Sequence, residues 1–153
     1  MKVEIRLFQP EDFKHLLALA NQAVPFAPKE NAEWFEYRKA FDEAKRLRRH
    51  YIANDNNNPV GYGCLEQQGE GLESLRIYVV CSPEHLQSET GAALFARLKQ
   101  EALTLGATTL WARELQADEP ARQFFIQHGF VETQRLTPPN YLPIVIYQLT
   151  LGL

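Results

Sequence analysis

The feature that most constrains this chain is a strand that breaks and restarts as a helix. Leu75, Ile77, Val79 and Val80 give the stretch Leu72 to Cys81 an apolar, extended pattern that stops at Ser82-Pro83. A short loop follows, Glu84-His85-Leu86-Gln87-Ser88-Glu89-Thr90, and Gly91 then opens a helix with Ala92, Ala93, Leu94 and Phe95. A strand that turns straight into a helix start leaves backbone N–H groups without helical acceptors, and such a cluster binds phosphate.

The rest of the chain reads as alternating strands and helices. Val3, Ile5 and Leu7 alternate with Glu4 and Arg6, as in a half-buried strand. Pro10, Glu11 and Asp12 mark a helix start, and Phe13, Leu16, Leu17, Leu19 and Ala20 form its apolar face. Pro25 and Pro28 interrupt, and a more charged helix is expected from about Lys29 to Leu47, with Trp34, Phe35, Tyr37 and Phe41 as apolar contacts. Tyr51 to Ala53 and Val60 to Gln67 read as a hairpin around the turn Asn54 to Pro59. After the Gly91 helix, which ends near Gly106, a strand is expected at Thr108 to Trp111. Asp118-Glu119-Pro120 caps a helix that Gly129 stops. Phe130 to Leu136 and Ile144 to Leu151 close the chain as strands. Early hairpins and a late strand–helix–strand crossover together predict a mixed sheet, with the break after Cys81 facing a crevice.

Composition narrows the partners. A chain of 153 residues that is 45% hydrophobic and 23% charged is expected to be one domain with a real core. A net charge of −3 gives no pull toward nucleic acid or an anionic membrane. No apolar run approaches the roughly 20 residues of a membrane span, and the alternating N-terminus does not read as a signal or transit peptide. Cys64 and Cys81 form neither a disulfide framework nor a metal-ligand spacing, so the cytoplasm is the expected compartment. The four histidines suggest no Ser–His–Asp set and no zinc site.

Three segments carry a resemblance to the GNAT superfamily of N-acetyltransferases. Ile5-Arg6-Leu7-Phe8-Gln9-Pro10-Glu11-Asp12 is similar to the family's opening strand and helix cap. Val80-Cys81-Ser82-Pro83-Glu84-His85 through Gly91-Ala92-Ala93-Leu94 resembles its strand, proline and pyrophosphate loop. Ala121-Arg122-Gln123-Phe124-Phe125-Ile126-Gln127-His128-Gly129-Phe130 resembles its helix ending in a Gly-Phe pair.

The resemblance implies an α/β fold: about seven strands in a mixed, mostly antiparallel sheet, flanked by about four helices and splayed at a central parallel pair. It implies acetyl-CoA as co-substrate, no metal, and a small-molecule or peptide amine as acceptor. Val79, Val80 and Cys81 map to the strand that pairs with pantetheine, and Leu86, Gln87, Ser88, Glu89, Thr90, Gly91 and Ala92 to the pyrophosphate loop. The loop departs from the family pattern of Arg or Gln, two residues, Gly, one residue, then Gly or Ala. In a gapless alignment Leu86 and Glu89 replace the first two of these and only Gly91 survives; a shift by one offers Gln87 and Ala92 but puts Thr90 at the first Gly. Phe125 stands where many members carry a Tyr that protonates the leaving thiolate.

Glu73 is a candidate base acting through water, or else a solvated strand-end carboxylate; Tyr78 either lines the cleft or packs. His85 approaches a phosphate or is a plain loop histidine, and His128 reads as a surface residue near a helix end. Trp34, Phe35, Glu36, Tyr37 and Phe41 would line the acceptor side or pack on the sheet. The basic run Lys45-Arg46-Leu47-Arg48-Arg49-His50 reads as a solvated helix end. By family analogy, two-strand exchange or edge pairing at Ile144 to Leu151 would give a homodimer. Two further readings stay open: a relative that binds acyl-CoA without turnover, and an interaction domain that binds none.

Overall fold

Hydrophobic alternation and paired turn residues define the sheet on which the helices pack. The computed structural model describes residues 3–12, 14–15, 18–19 and 47–152. Within them, strands β1 (Val3–Leu7), β2 (Arg48–Asp55), β3 (Asn58–Gln67), β4 (Ser74–Cys81), β5 (Thr109–Leu115), β6 (Val131–Leu136) and β7 (Ile144–Thr150) form one sheet in the order β1-β2-β3-β4-β5-β7-β6. All pairs are antiparallel except β4 with β5. The β2–β3 turn forms because Asn56 and Asn57 take φ of 51° and 70°, the double left-handed turn that matches strand twist and that Asn tolerates.

Helices α1 (Pro83–Leu86), α2 (Glu89–Thr104) and α3 (Glu119–Gln127) join the sheet, the last two following the cues in the sequence. Ser88 caps α2, accepting from the Thr90 amide at 3.3 Å, and Gly106, at φ +87°, turns the chain out beyond its end. Asp118 caps α3 by accepting from the Ala121 amide at 3.1 Å. Leu94, Leu98 and Ala102 of α2 bury into the core with Leu65, Leu75, Ile77 and Leu110 of the sheet. Gly61 and Gly63 let α2 sit close: a Cβ on either would fall 2.8 Å from Leu94 or Leu98. Phe124 and Phe125 of α3 join Phe95, Phe130 and Tyr147 in an aromatic cluster.

The expected seven-stranded mixed sheet with a central parallel pair is present. Several local readings change. The helix begins at Glu89 rather than Gly91, and Pro83–Leu86 is a helical turn rather than loop. Arg48, Arg49 and His50 open β2 and are not a helix end, because pairing with Glu66, Leu65 and Cys64 draws them into the sheet. β7 is not an edge: β5 and β6 flank it, so edge pairing through Ile144 to Leu151 is blocked and β6 holds that border. Leu19 is buried as expected. Phe13, Leu16, Leu17, Ala20, the helix expected from Lys29, and the acceptor-side group Trp34, Phe35, Glu36, Tyr37 and Phe41 lie outside the described residues.

Candidate functional site

The site begins where the parallel pair comes apart. β4 and β5 are in register only from Ser74, Leu75 and Arg76 to Thr109, Leu110 and Trp111. Beyond that, β3 still holds β4 as far as Cys81, and β7 still holds β5 as far as Leu115. Both strands therefore stay extended while diverging, which opens a gap with unpaired backbone on its walls. The Ser82 amide donates to the Val60 carbonyl at 3.0 Å and continues the β3 ladder. Alternation then turns the backbone groups of Ile77, Val79 and Cys81 toward the gap and those of Tyr78 and Val80 toward β3. Cys81 is buried, and burial pushes its thiol up to about 12, so it is a packing residue and not a nucleophile.

The head of α2 lies at the end of this gap. An α-helix leaves its first amides without internal acceptors. Here the Ser88 amide donates to the His85 carbonyl and the Thr90 amide to Ser88 Oγ. Ala92 already donates to the Ser88 carbonyl as the first helical bond. Among the described residues none accepts from the amides of Glu89 and Gly91, which are the donors left for an anion. The Glu89 side chain is exposed, and a carboxylate in the first turn suits the helix dipole. Thr90 is fully buried, with its Oγ1 unpartnered. Gly91 is fixed by contact: a Cβ there would lie 1.9 Å from the Leu86 carbonyl oxygen. Gln87 Nε2 donates to the Pro120 carbonyl at 2.7 Å and ties the loop to the start of α3.

A Ser–His–Asp contact that the sequence does not show supports this loop from behind. Ser82 Oγ lies 2.6 Å from His85 Nδ1, and His85 Nε2 lies 3.5 Å from Asp55 Oδ2 at the β2–β3 turn. Both ring nitrogens are engaged, so His85 braces α1 and does not reach toward α2. Asp55 is thirty positions from His85 in the chain, and only the hairpin brings it there.

Other candidates separate by position. Glu73 is exposed and precedes β4, and its carbonyl accepts from Thr108 and Thr109 at 2.8 and 3.0 Å. It lies four positions before Ile77, about 13 Å of extended chain. Tyr78 is half-buried on the sheet face turned away from α2. Phe125 is 1% exposed; its ring stacks on Tyr147 at 5.6 Å and meets Phe130 at 5.0 Å, so it is a core residue with no polar role. His128 packs against Phe95 and Phe124 at 4.7 and 4.6 Å, and burial lowers its pKa; it is not the surface residue its place near the helix end suggested. Glu114, near the free end of β5, is a group the sequence reading missed. Desolvation, reinforced by Asp118 and opposed by Arg76, pushes its carboxyl up to about 8. Among the described residues no cluster of His, Cys, Asp or Glu could hold a metal, and no helix is long and apolar enough to cross a membrane.

Among the described residues the sheet is thus mixed, parted at its parallel β4–β5 pair, with the head of α2 following the break. The profile of the Acetyltransferase (GNAT) family matches residues 11–130, and the chain belongs to that family. Solved structures agree on the fold. A GNAT-family protein from Desulfovibrio desulfuricans superposes with a TM-score of 0.80 at 19% identity, covering 97% of this chain and 99% of that one. The Paia N-acetyltransferase of Thermoplasma acidophilum, in complex with coenzyme A, gives 0.77 at 14% identity over 99% and 100%. The spermidine/spermine N-acetyltransferase SpeG of Vibrio cholerae gives 0.70 at 18% over 97% and 92%. No curated protein matches the chain.

Proposed function

We propose that this protein transfers an acetyl group from acetyl-CoA to a primary amine of a small molecule or peptide by direct attack. The observation that carries this is the gap beyond the Arg76–Trp111 pair, ending at the unaccepted amides of Glu89 and Gly91. The thioester's pantetheine would bond to the inward backbone of Val79 and Cys81 as an added strand. The diphosphate would sit on the unaccepted amides of Glu89 and Gly91, with Leu86, Val80 and Ala92 shaping the surround. Acetyl-CoA supplies the activated acyl group. The chain's own part is to hold it extended, exclude water with α2 and α3, and offer backbone donors to the carbonyl oxygen. The coenzyme A bound to the Thermoplasma relative supports this reading.

Glu73 would need a chain of waters to reach the gap, so Tyr78 with bound water is the better route for the amine's proton. A second reading has one observation in its favour: Phe125, at the position where the resemblance implies a Tyr acid, is a buried core ring without a hydroxyl, which suits a protein that binds acyl-CoA without turnover. Calorimetric titration with acetyl-CoA and a thiol-release assay over an amine panel decide among these. Saturable binding with thiol release is the expected result. Binding alone favours the second reading, and no saturable heat leaves only an interaction domain. Any homodimer built through the C-terminal strands would use β6, where Val131 is 59% exposed; sedimentation velocity tests this.

A further inference from the structure

One imidazole ties the loop before α2 to the distant β2–β3 hairpin. Ser82 Oγ lies 2.6 Å from His85 Nδ1, and Asp55 Oδ2 lies 3.5 Å from His85 Nε2. The carboxylate of Glu84 lies 3.9 Å from Nδ1. Asp55 Oδ1 is buried without a hydrogen-bond partner, so this carboxylate relies on the ring. The backbone of the same histidine holds the cap of α2: its carbonyl accepts from the Ser88 amide at 3.2 Å and from Ser88 Oγ at 2.7 Å. Ser88 Oγ in turn accepts from the Thr90 amide. A continuous line of contacts therefore runs from Asp55 through His85 to the head of α2.

Charge gives this line a direction. The chain has no Lys or Arg between Ile77 and Ala96, so His85 is the loop's own source of positive charge. Helices α2 and α3 pack against α1 and bring Glu89, Glu119 and Arg122, all exposed, with Arg122 3.4 Å from Glu119. The ends of β3 and β4 beside α1, residues 58–62 and 78–81, carry no Asp, Glu, Lys or Arg. A neutral imidazole donates from one nitrogen and an imidazolium from both. Imidazole is also the side chain whose ordinary titration falls between about pH 5 and 8. A thioester's diphosphate would add negative charge to a neighbourhood that already holds Asp55, Glu84 and Glu89. An anion that favours the protonated ring is, by linkage, bound more tightly when the ring is protonated. On the reading that α2 seats the diphosphate of acetyl-CoA, we propose that His85 is the positioning residue of that seat: it takes up a proton as the thioester binds, and acetyl-CoA affinity rises as pH falls from 8 to 6. Protonation makes the contact with Asp55 an ion pair, steadies the hold on Ser88, and sets a positive charge behind the amides of Glu89 and Gly91.

The test is calorimetric titration with acetyl-CoA and with acetyl-3′-dephospho-coenzyme A. The second ligand keeps the diphosphate and lacks the phosphate monoester, which itself titrates at about pH 6. Its dissociation constant at pH 8 is expected to be at least about threefold that at pH 6; a full proton taken up would give about tenfold per pH unit. Heats measured at pH 7 in HEPES and in Tris, buffers of different ionisation enthalpy, should show net proton uptake. His85→Gln should bind with an affinity independent of pH and without uptake, and Asp55→Asn should reduce the uptake. Proton NMR of the four histidine rings follows the same event in the unmodified protein, whether or not His85→Gln folds. The ring whose signal also moves in Asp55→Asn should gain protonated fraction at pH 7 when ligand is added. Affinity independent of pH, net proton release, or uptake that persists in His85→Gln would overturn the proposal. So would binding of acetyl-CoA with none of the dephospho form, since the diphosphate would then not be what the loop holds. Failure of acetyl-CoA to bind at any pH would instead overturn the acetyltransferase reading beneath it, and this proposal with it.

Discussion

Replacing Gly91 with alanine sets two physical effects against each other, and the structure decides the sign. Gly91 lies within the first turn of α2, where helix propensity alone favours alanine by up to about 1 kcal/mol. The added Cβ, however, would lie 1.9 Å from the Leu86 carbonyl oxygen and 3.0 Å from Phe124 Cε1. The nearer atom belongs to the backbone, so no rotamer change relieves the contact; α1 and the loop through Ser88 must move by more than an ångström. Overpacking of this kind costs about 1–3 kcal/mol, and more where backbone must shift. The net expectation is a loss of about 1–2 kcal/mol after the propensity gain is subtracted. For a domain of this size that lowers Tm by roughly 2–8 °C. Thermal unfolding followed by circular dichroism measures it, with Gly69→Ala as control, since nothing lies within 4 Å of that position. The same loop carries the amides proposed to hold the diphosphate, so excess acetyl-CoA should raise the Tm of the unmodified protein and not that of Gly91→Ala. A variant as stable as its parent, or more so, would refute the close approach of Leu86 and the loop geometry derived from it.

Three further expectations follow from buried polar groups. Arg6 holds Asp12 with two bonds of 2.7 and 2.8 Å, and the Gln9 amide adds a third at 2.8 Å. Asp12→Ala should cost about 2 kcal/mol in urea unfolding at pH 7. The Arg6 hydrogen bonds hold the Asp12 carboxyl below its usual range, so this contribution is present above the ordinary aspartate pKa and fades as pH falls through the lowered folded value; equal pH profiles for variant and parent would contradict it. Glu114 has the opposite sign: its folded pKa of about 8 lies above the usual 4.5, so stability is fullest below pH 4.5 and declines up to pH 8. Glu114→Gln should flatten that decline in urea midpoints taken at pH 5, 6.5 and 8, and an unchanged slope would show that the group is not desolvated. Phe125→Tyr inserts a hydroxyl into the stack on Tyr147 and should destabilise by about 1–3 kcal/mol with no gain in thiol release. A stable variant with faster release would place that ring at the gap instead of in the core.

The periodic and punctuated parts of the chain were legible because their causes are local. The apolar run before Ser82-Pro83 fixes a strand by burial, and alternation at Val3 to Leu7 marks another, although Leu7 itself is 55% exposed. Gly106 and Gly129 end helices because each must take a positive φ. The start of α2 was less legible: Gly91 draws attention as a breaker, yet the cap is Ser88, and Gly91 is needed for a carbonyl that arrives from Leu86. The basic run was misread for a similar reason. Charge density at Arg48 to His50 suggests a solvated helix end, but cross-strand pairing with Glu66 makes Arg48 a nearly buried strand residue.

By itself the sequence determined the order of strands and helices, the break after Cys81 and the family, since these rest on spacing, turn residues and short motifs within one stretch of chain. Tertiary structure alone decided that β4 and β5 part after Arg76, that Asp55 meets His85, and that Glu114 is desolvated. Each of those depends on strand register between segments far apart in the chain, and register is a property of pairing that no single segment carries.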